Sequence, residues 1–366
     1  MKALGLMSGT SLDGVDVALL DTDGERISCR GPMSYRPYGA DERALLRQAL
    51  DAAARLTRRE ERPGVLADAE RLVTQAHADA VALFLRDHKM ASAEIDIVGF
   101  HGQTVLHRPT ARLTVQIGDG EALARRIGID VVCDFRAADV ATGGQGAPLV
   151  PAYHRALARA QGIRGPVAVV NIGGVSNITY IDGDELIACD TGPGNALLDD
   201  FLMQRAGLPF DDGGRLAAQG VIDEAWVSRA LDRPFFSSAP PKSLDRNDFA
   251  DLALPELPLA DGAATLTAFT VAAIAHIVPL LPKPPLEWVI AGGGARNATM
   301  MRWLGERLAP ANVQTADGLG WSSEAIEAQA FAYLAVRSLR GLPLTWPTTT
   351  GAPVPMGGGV LARARP

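Results

Sequence analysis

Lysine is nearly missing from this sequence. The basic residues number 35, yet only Lys2, Lys89, Lys242 and Lys283 are lysines. None of them follows a glycine-rich loop, which excludes a Walker-type phosphate loop with its phosphate-reaching lysine. No GxxxxGK[ST], GxGxxG or GxSxG pattern occurs, so the common dinucleotide fingerprint and the nucleophile elbow are missing too. Cysteine is as scarce. Cys29, Cys133 and Cys189 lie far apart and form no CxxC pair, against a disulfide framework or a zinc site. Each is expected to be a small buried side chain. His107 and His154 lack metal-ligand spacing and there is no HExxH, so no protein metal ligand is expected. Excess positive charge is also lacking. The net charge of −7 argues against a nucleic-acid or polybasic membrane protein. The apolar start, Ala3 to Met7, is too short for a secretory signal. One uncharged run, Gly262 to Pro282, is long enough to span a bilayer. Its threonines, His276, Pro279 and many alanines fit a buried helix of a soluble domain instead. The expected compartment is the cytoplasm.

What the sequence does have is glycine in clusters, 38 residues in a chain of 366. That length predicts two domains. Residues 3–7 read as a strand, Ser8 to Gly14 as a tight turn, and Val15 to Leu20 as the returning strand. The same unit recurs at 167–172, with a turn at Gly173 to Asn177 and a return over 178–181. Both units close on an Asp-Gly turn, a sign of internal duplication. Helical periodicity covers 41–57 and 65–89. Further strands are expected at 95–100, 130–135 and 288–290, and helices at 195–206, 263–281, 295–308 and 323–340. Residues 232–258 are Pro-rich, and residues 151–165 read as the link between halves. The expected division is 1–150 and 151–366, with the C-terminal helix able to pack back on the first domain.

Three glycine-rich turns suit a polyphosphate. Gly9, with Thr10 and Ser11 beside it, offers backbone N–H groups and hydroxyls to phosphate oxygens. Gly173 and Gly174 repeat the arrangement. Gly292, Gly293 and Gly294 follow a strand and open a helix, a seat for a nucleotide. Each is also readable as an ordinary turn. Asp190 stands near the carboxyl end of a strand, where open α/β sheets bind ligands; it reads as a general base or as a turn residue. His101, Gln103 and Thr104, then Gln116, Gly118 and Asp119, then Arg136 place polar groups just past apolar strands. That pattern suits a sugar, whose hydroxyls need paired donors and acceptors; taken singly, each is as readable as structural.

The stretches GLMSGTSLDGVDVALLD, GFHGQTVLHRP, QIGDGEALA, DFRAADVATGGQGAPLVP, VNIGGVSNIT, DTGPGNALLD, KSLDRNDF and AGGGARN occur in that order over residues 5 to about 335. Together they resemble the 1,6-anhydro-N-acetylmuramic acid kinase family. The resemblance implies an α/β fold of two duplicated actin/hexokinase-like (ribonuclease H-like) domains, with nucleotide and substrate in a cleft between them. It implies a reaction of ATP, water and the anhydro sugar that gives N-acetylmuramate 6-phosphate and ADP in peptidoglycan recycling. By the same resemblance Asp190 is the catalytic aspartate and Glu327 a glutamate near the sugar or water. Gly9, Thr10, Ser11, Leu12, Asp13, Gly14, Val15 and Asp16 match the ATP-binding loop. A homodimer is implied as well. Superfamily relatives carry acids where this chain has Met7 and Asn171. Mg²⁺ is therefore expected to be held mainly by ATP phosphates and water, with Asp190 or Asp13 lying beyond those ligands. Two competing readings are a ligand-responsive binding protein and a plain glycosidase using Asp190 and Glu327 as a carboxylate pair. The intact catalytic aspartate and phosphate turns oppose the first, and the three glycine-rich turns are superfluous to the second.

Overall fold

The apolar stretches become two β-sheets in a computed structural model that describes residues 1–245, 248–249 and 251–365. Arg246 and Asn247 of the KSLDRNDF stretch lie outside the described residues. The strands in chain order are β1 (Lys2–Ser8), β2 (Gly14–Thr22), β3 (Ile27–Pro37), β4 (Ile97–Arg108), β5 (Leu113–Ile117), β6 (Val131–Cys133), β7 (Val167–Ile172), β8 (Val175–Asp182), β9 (Glu185–Pro193), β10 (Glu287–Ala291), β11 (Asn312–Thr315) and β12 (Val360–Ala362). The principal helices are α1 (Ala40–Ala53), α2 (Val65–Asp87), α3 (Gly120–Ile127), α4 (Ala137–Thr142), α5 (Pro151–Ala160), α6 (Ala196–Ala206), α7 (Glu224–Leu231), α8 (Pro234–Ser237), α9 (Leu259–Ala275), α10 (Ala298–Leu308) and α11 (Ile326–Leu339).

The first sheet runs β12-β6-β4-β1-β2-β3, with β5 paired to β4; the second runs β11-β10-β7-β8-β9. Both repeat one plan. A hairpin and a third antiparallel strand lie on one side of the first strand. Two parallel strands lie on the other. The duplicated strand–turn–strand units are the β1–β2 and β7–β8 hairpins, whose turns connect Met7↔Asp16 and Ile172↔Ser176 pairs.

The chain divides into one unit of Met1–Gln161 with Ala325–Pro366 and another of Gly162–Glu324. These limits differ from a cut after residue 150. Residues 151–160, read as a link, are the helix α5, whose Tyr153 hydroxyl bonds the Gln329 side chain of α11. Residues 325–366 return to the first sheet, where α11 packs on β1, β2 and β4.

In the first unit the strand period of two separates the faces. Leu4, Leu6, Val98 and Phe100 join Leu66, Val73, Val81 and Phe84 of α2 in one core. The alternate positions, Gly5 and Gly99, meet the backbone of α11. A Cβ there would stand 1.7 Å from the Ala328 carbonyl oxygen and 2.1 Å from that of Phe331. Only glycine allows so close a helix-on-sheet approach.

In the second unit α9 is buried along Gly262–Ile274, packed by α6, α7 and α10. This is the apolar run flagged for membrane-spanning length. Leu259–Leu280 passes that test by length and composition, and 67% of its most apolar window is buried inside the protein. The helix expected from 295 starts later. Gly293–Arg296 forms a 3₁₀ turn, and the Asn297 side chain accepts from the Met300 N–H to cap α10. The cysteine expectation holds for Cys189 alone; Cys133 is half-buried and Cys29 exposed, because β3 is an edge strand.

Candidate active site

The first glycine-rich turn is braced from beneath. Ser8 Oγ donates to Gln103 Oε1 (2.6 Å) and lies 3.1 Å from the Tyr38 hydroxyl. Gln103 Nε2 donates to the Gly9 carbonyl at 3.1 Å. The Leu12 N–H closes the turn on the same carbonyl at 3.2 Å. Leu12 adopts φ 56°, an uncommon conformation for a non-glycine residue, and its buried side chain anchors it there. Thr10, Ser11 and Asp13 remain exposed. Asp13 Oδ1 accepts from Ser11 Oγ (2.7 Å) and from the Gly14 N–H (3.0 Å). Val15 is fully buried in the core, so it and Leu12 present only backbone to a ligand, while Asp16 stands half-buried on β2.

His101, Arg136 and Glu327 come together in the same unit. His101 Nδ1 pairs with the Gly102 carbonyl at 2.8 Å, and its Nε2 receives Arg136 Nε (3.3 Å) and a terminal guanidinium nitrogen (3.1 Å). A ring held between a carbonyl and a guanidinium donates from Nδ1 and accepts at Nε2, the neutral tautomer. Burial, then the Arg136 charge, drives its pKa well below the usual histidine range. Burial also lowers Arg136, to about 10, against the pull of Glu327 and Asp139. Glu327 opens α11. Part of its surface meets solvent, yet the protein around it raises its carboxyl, opposed by Arg136.

Thr104 and Gln116 form a second pair. Gln116 Nε2 donates to Thr104 Oγ1 (3.2 Å) and Thr114 Oγ1 (2.8 Å). Gly118 and Asp119 have structural employment instead. A Cβ at Gly118 would stand 2.4 Å from the Phe100 ring, and the Asp119 carboxylate caps α3 by accepting from the Ala122 N–H at 2.9 Å.

In the other unit the second turn and the Asp190 loop are tied together. Asn195 N–H donates to the Gly173 carbonyl (2.7 Å), and Gly194 N–H to that of Gly174 (2.9 Å). Asn195 Nδ2 reaches the Ile172 carbonyl at 3.2 Å. Gly194 permits this crossing, since a Cβ there would lie 2.2 Å from the Gly173 oxygen. Outward the turn is open. A Cβ on Gly9, Gly173 or Gly174 would meet nothing nearer than 3.5 Å, which leaves room for ligand oxygens. Asn171 and the third turn adjoin, the Asn171 amide oxygen 2.4 Å from a Cβ placed on Gly292. Gly293 is partly accessible and Gly294 is buried against Ile172.

Asp190 lies on β9 opposite Asn177. Its N–H donates to the Lys242 carbonyl at 2.9 Å, and its Oδ2 accepts from the Leu244 N–H at 2.7 Å. Burial raises its pKa to about 6; the Leu244 bond opposes this. Residue-by-residue reading misses Lys242 and Leu244, because they act through backbone. Ser8, Tyr38 and Asn195 are missed because their partners lie far away in sequence. Among the described residues no group of three or more His, Cys, Asp or Glu side chains could hold a metal ion.

Two copies of one α/β sheet plan, each opening a glycine-rich turn from the end of its central strand, define a duplicated α/β protein built for a phosphate-rich ligand. The chain belongs to the anhydro-N-acetylmuramic acid kinase family, whose sequence profile matches residues 1–363. An anhydro-N-acetylmuramic acid kinase of Rhodopseudomonas palustris (strain BisB18) is 68% identical over 364 residues, covering 99% of this chain and 100% of that protein. One from Methylobacterium nodulans is 55% identical, covering 99% and 100%. Among solved structures, a ROK family glucokinase from Streptomyces griseus aligns at 16% identity with TM-score 0.38, covering 92% of this chain and 99% of that one. That last likeness is too low to bear on the site.

Proposed function

We propose that this protein is an ATP-dependent kinase that hydrolytically opens 1,6-anhydro-N-acetylmuramic acid and phosphorylates its O6, releasing ADP, as a cytoplasmic step of peptidoglycan recycling. Family membership supports the substrate pair, and the single observation that carries the chemistry is Asp190. Its half-buried carboxyl has a pKa near 6 and is held by the Leu244 N–H, so it is ionised and still basic at neutral pH. It takes a proton from water as the water oxygen bonds C1. The C1–O6 bond breaks, and O6 attacks the γ-phosphorus while the bond to ADP breaks. Glu327, also raised by its surroundings, orients the water or sugar. Positioning and electrostatics supply most of the rate.

For the nucleotide the first unit offers the Gly9–Asp16 turn, and the second offers Asn171 with Gly173 and Gly174, and Gly292, Gly293 and Gly294. The open outer sides of the first two turns, at Gly9, Gly173 and Gly174, fit phosphate oxygens. The lack of an acidic cluster among the described residues fits a Mg²⁺ carried in on ATP oxygens and water. Bound there, Mg²⁺ neutralises charge on the transferred phosphoryl. His101, Thr104, Gln116 and Arg136 face the sugar; Gln103, also expected there, is buried and braces the first turn, and Gly118 and Asp119 adjoin that region. A homodimer accords with the family.

The test is mass spectrometry of the product formed with ATP in ¹⁸O-water. Label at C1 together with phosphate on O6 is expected; phosphorylated sugar without label refutes the hydrolytic opening. Sugar turnover without ATP would favour the glycosidase reading. Gln103→Leu removes both braces of the first turn, so KM for ATP is expected to rise ~10-fold with little change in kcat. An unchanged KM would free that turn from the nucleotide.

A further inference from the structure

We infer that Arg136 is the receptor for the lactyl carboxylate of the sugar and is thereby the residue that selects muramic over plain N-acetylamino sugars; this rests on the kinase reading above. A guanidinium carries five N–H donors and no acceptor. Three of Arg136's polar contacts are visible, and all go to neutral groups: two to His101 Nε2 and one, at 2.7 Å, to the Gly146 carbonyl. They use one N–H from Nε and one from each terminal nitrogen. One N–H therefore remains on each terminal nitrogen, a pair suited to the two oxygens of a single carboxylate.

Among the described residues no carboxylate takes that position. Asp139 is the nearest acid in sequence, and its oxygens are spent on the Gly146 N–H (2.6 Å), Thr345 Oγ1 (2.5 Å) and Thr350 Oγ1 (2.7 Å). Glu327 acts on Arg136 through space without an ion pair among the described residues. His101 is fixed as a neutral acceptor and adds no negative charge. A half-buried cation without an ion-pair partner among the described residues is costly, and an incoming anion removes that cost. The family's sugar brings one carboxylate, on the lactyl ether at O3. The Gly146 and His101 contacts hold the guanidinium plane before the substrate arrives, so little side-chain entropy is lost on binding.

The test compares the acid substrate with its lactyl carboxamide and with 1,6-anhydro-N-acetylglucosamine, which lacks the lactyl group. With wild-type enzyme, kcat/KM is expected to fall ~100-fold from the acid to either analogue. With Arg136→Gln, the acid should fall by the same factor while the analogues change little, so the preference disappears. KM for ATP should stay constant throughout. Equal wild-type kcat/KM for acid and carboxamide overturns the inference, and this arm needs no variant to fold. An equal loss on all three sugars in Arg136→Gln overturns it too, placing Arg136 behind Glu327; a raised KM for ATP assigns it to phosphate. No ATP-dependent phosphorylation of any sugar by the wild type would instead refute the kinase reading.

Discussion

Asp190→Asn is expected to lower turnover by ~10²- to 10⁴-fold, with ATP binding intact. Asparagine keeps the oxygen that accepts from the Leu244 N–H but cannot take a proton from water. Wild-type activity in the variant would remove Asp190 from the chemistry. The pH profile is the sharper measurement. With a carboxyl pKa near 6, wild-type kcat/KM should lose its acid limb around that pH, well above an ordinary aspartate. Stability runs the other way. The folded state binds this proton more tightly than the unfolded chain, whose aspartate titrates near 3.8. Its contribution to stability is complete below about pH 4 and is lost as pH rises through about 6. Asp190→Asn is therefore expected to unfold later than wild type at pH 8, by on the order of 2 kcal/mol, with the gain vanishing near pH 4. A variant that is inactive and no more stable at pH 8 would mean that burial is not what raises this carboxyl.

The second large effect falls on packing. Gly5→Val is expected to destabilise the protein by ~3 kcal/mol or more, read from urea unfolding. A Cβ at that position would overlap the Ala328 carbonyl and approach the Ala332 nitrogen at 2.6 Å, so α11 must lift from β1. Since α11 carries Glu327 near its first turn, activity should fall with stability. Gly305→Ala is the control. Nothing lies within 4 Å of a Cβ there, and alanine is expected to leave stability unchanged or raise it by about 0.5–1 kcal/mol. If both substitutions behaved alike, the close helix-on-sheet approach would not matter to the fold.

The strand–turn–strand units were legible in sequence because each is local. Alternating apolar residues, a small-residue turn and a return strand all fall within about twenty positions. The long helices were legible for the same reason. Strands β3, β5 and β9 were harder. β3 mixes exposed and half-buried positions along an edge, which blurs its alternation. The boundary after residue 150 separates α5 from the first unit, whereas the return of the C-terminal helix was expected; its docking depends on Gly5 and Gly99, some three hundred and two hundred residues away. Nothing near α11 in sequence signals that contact. The site divides in the same way. Gly9, Gly173 and Asp190 stand out as residue types in their turns. The Lys242 and Leu244 backbone groups that fix Asp190 carry no side-chain signature. Asp119 caps α3 from just past a strand, where capping and ligand binding call on the same residue type.

The return of residues 325–366 to the first unit has a consequence for synthesis. The second unit is one uninterrupted segment, Gly162–Glu324, and all of it is synthesised before α11. The first sheet must then wait, with the glycine side of β1 and β4 uncovered, until the last part of the chain emerges. Released chains truncated after residue 324 should present a folded second unit and a protease-sensitive first one. The first unit is thus completed by a helix made after the whole second unit, and that helix also carries Glu327.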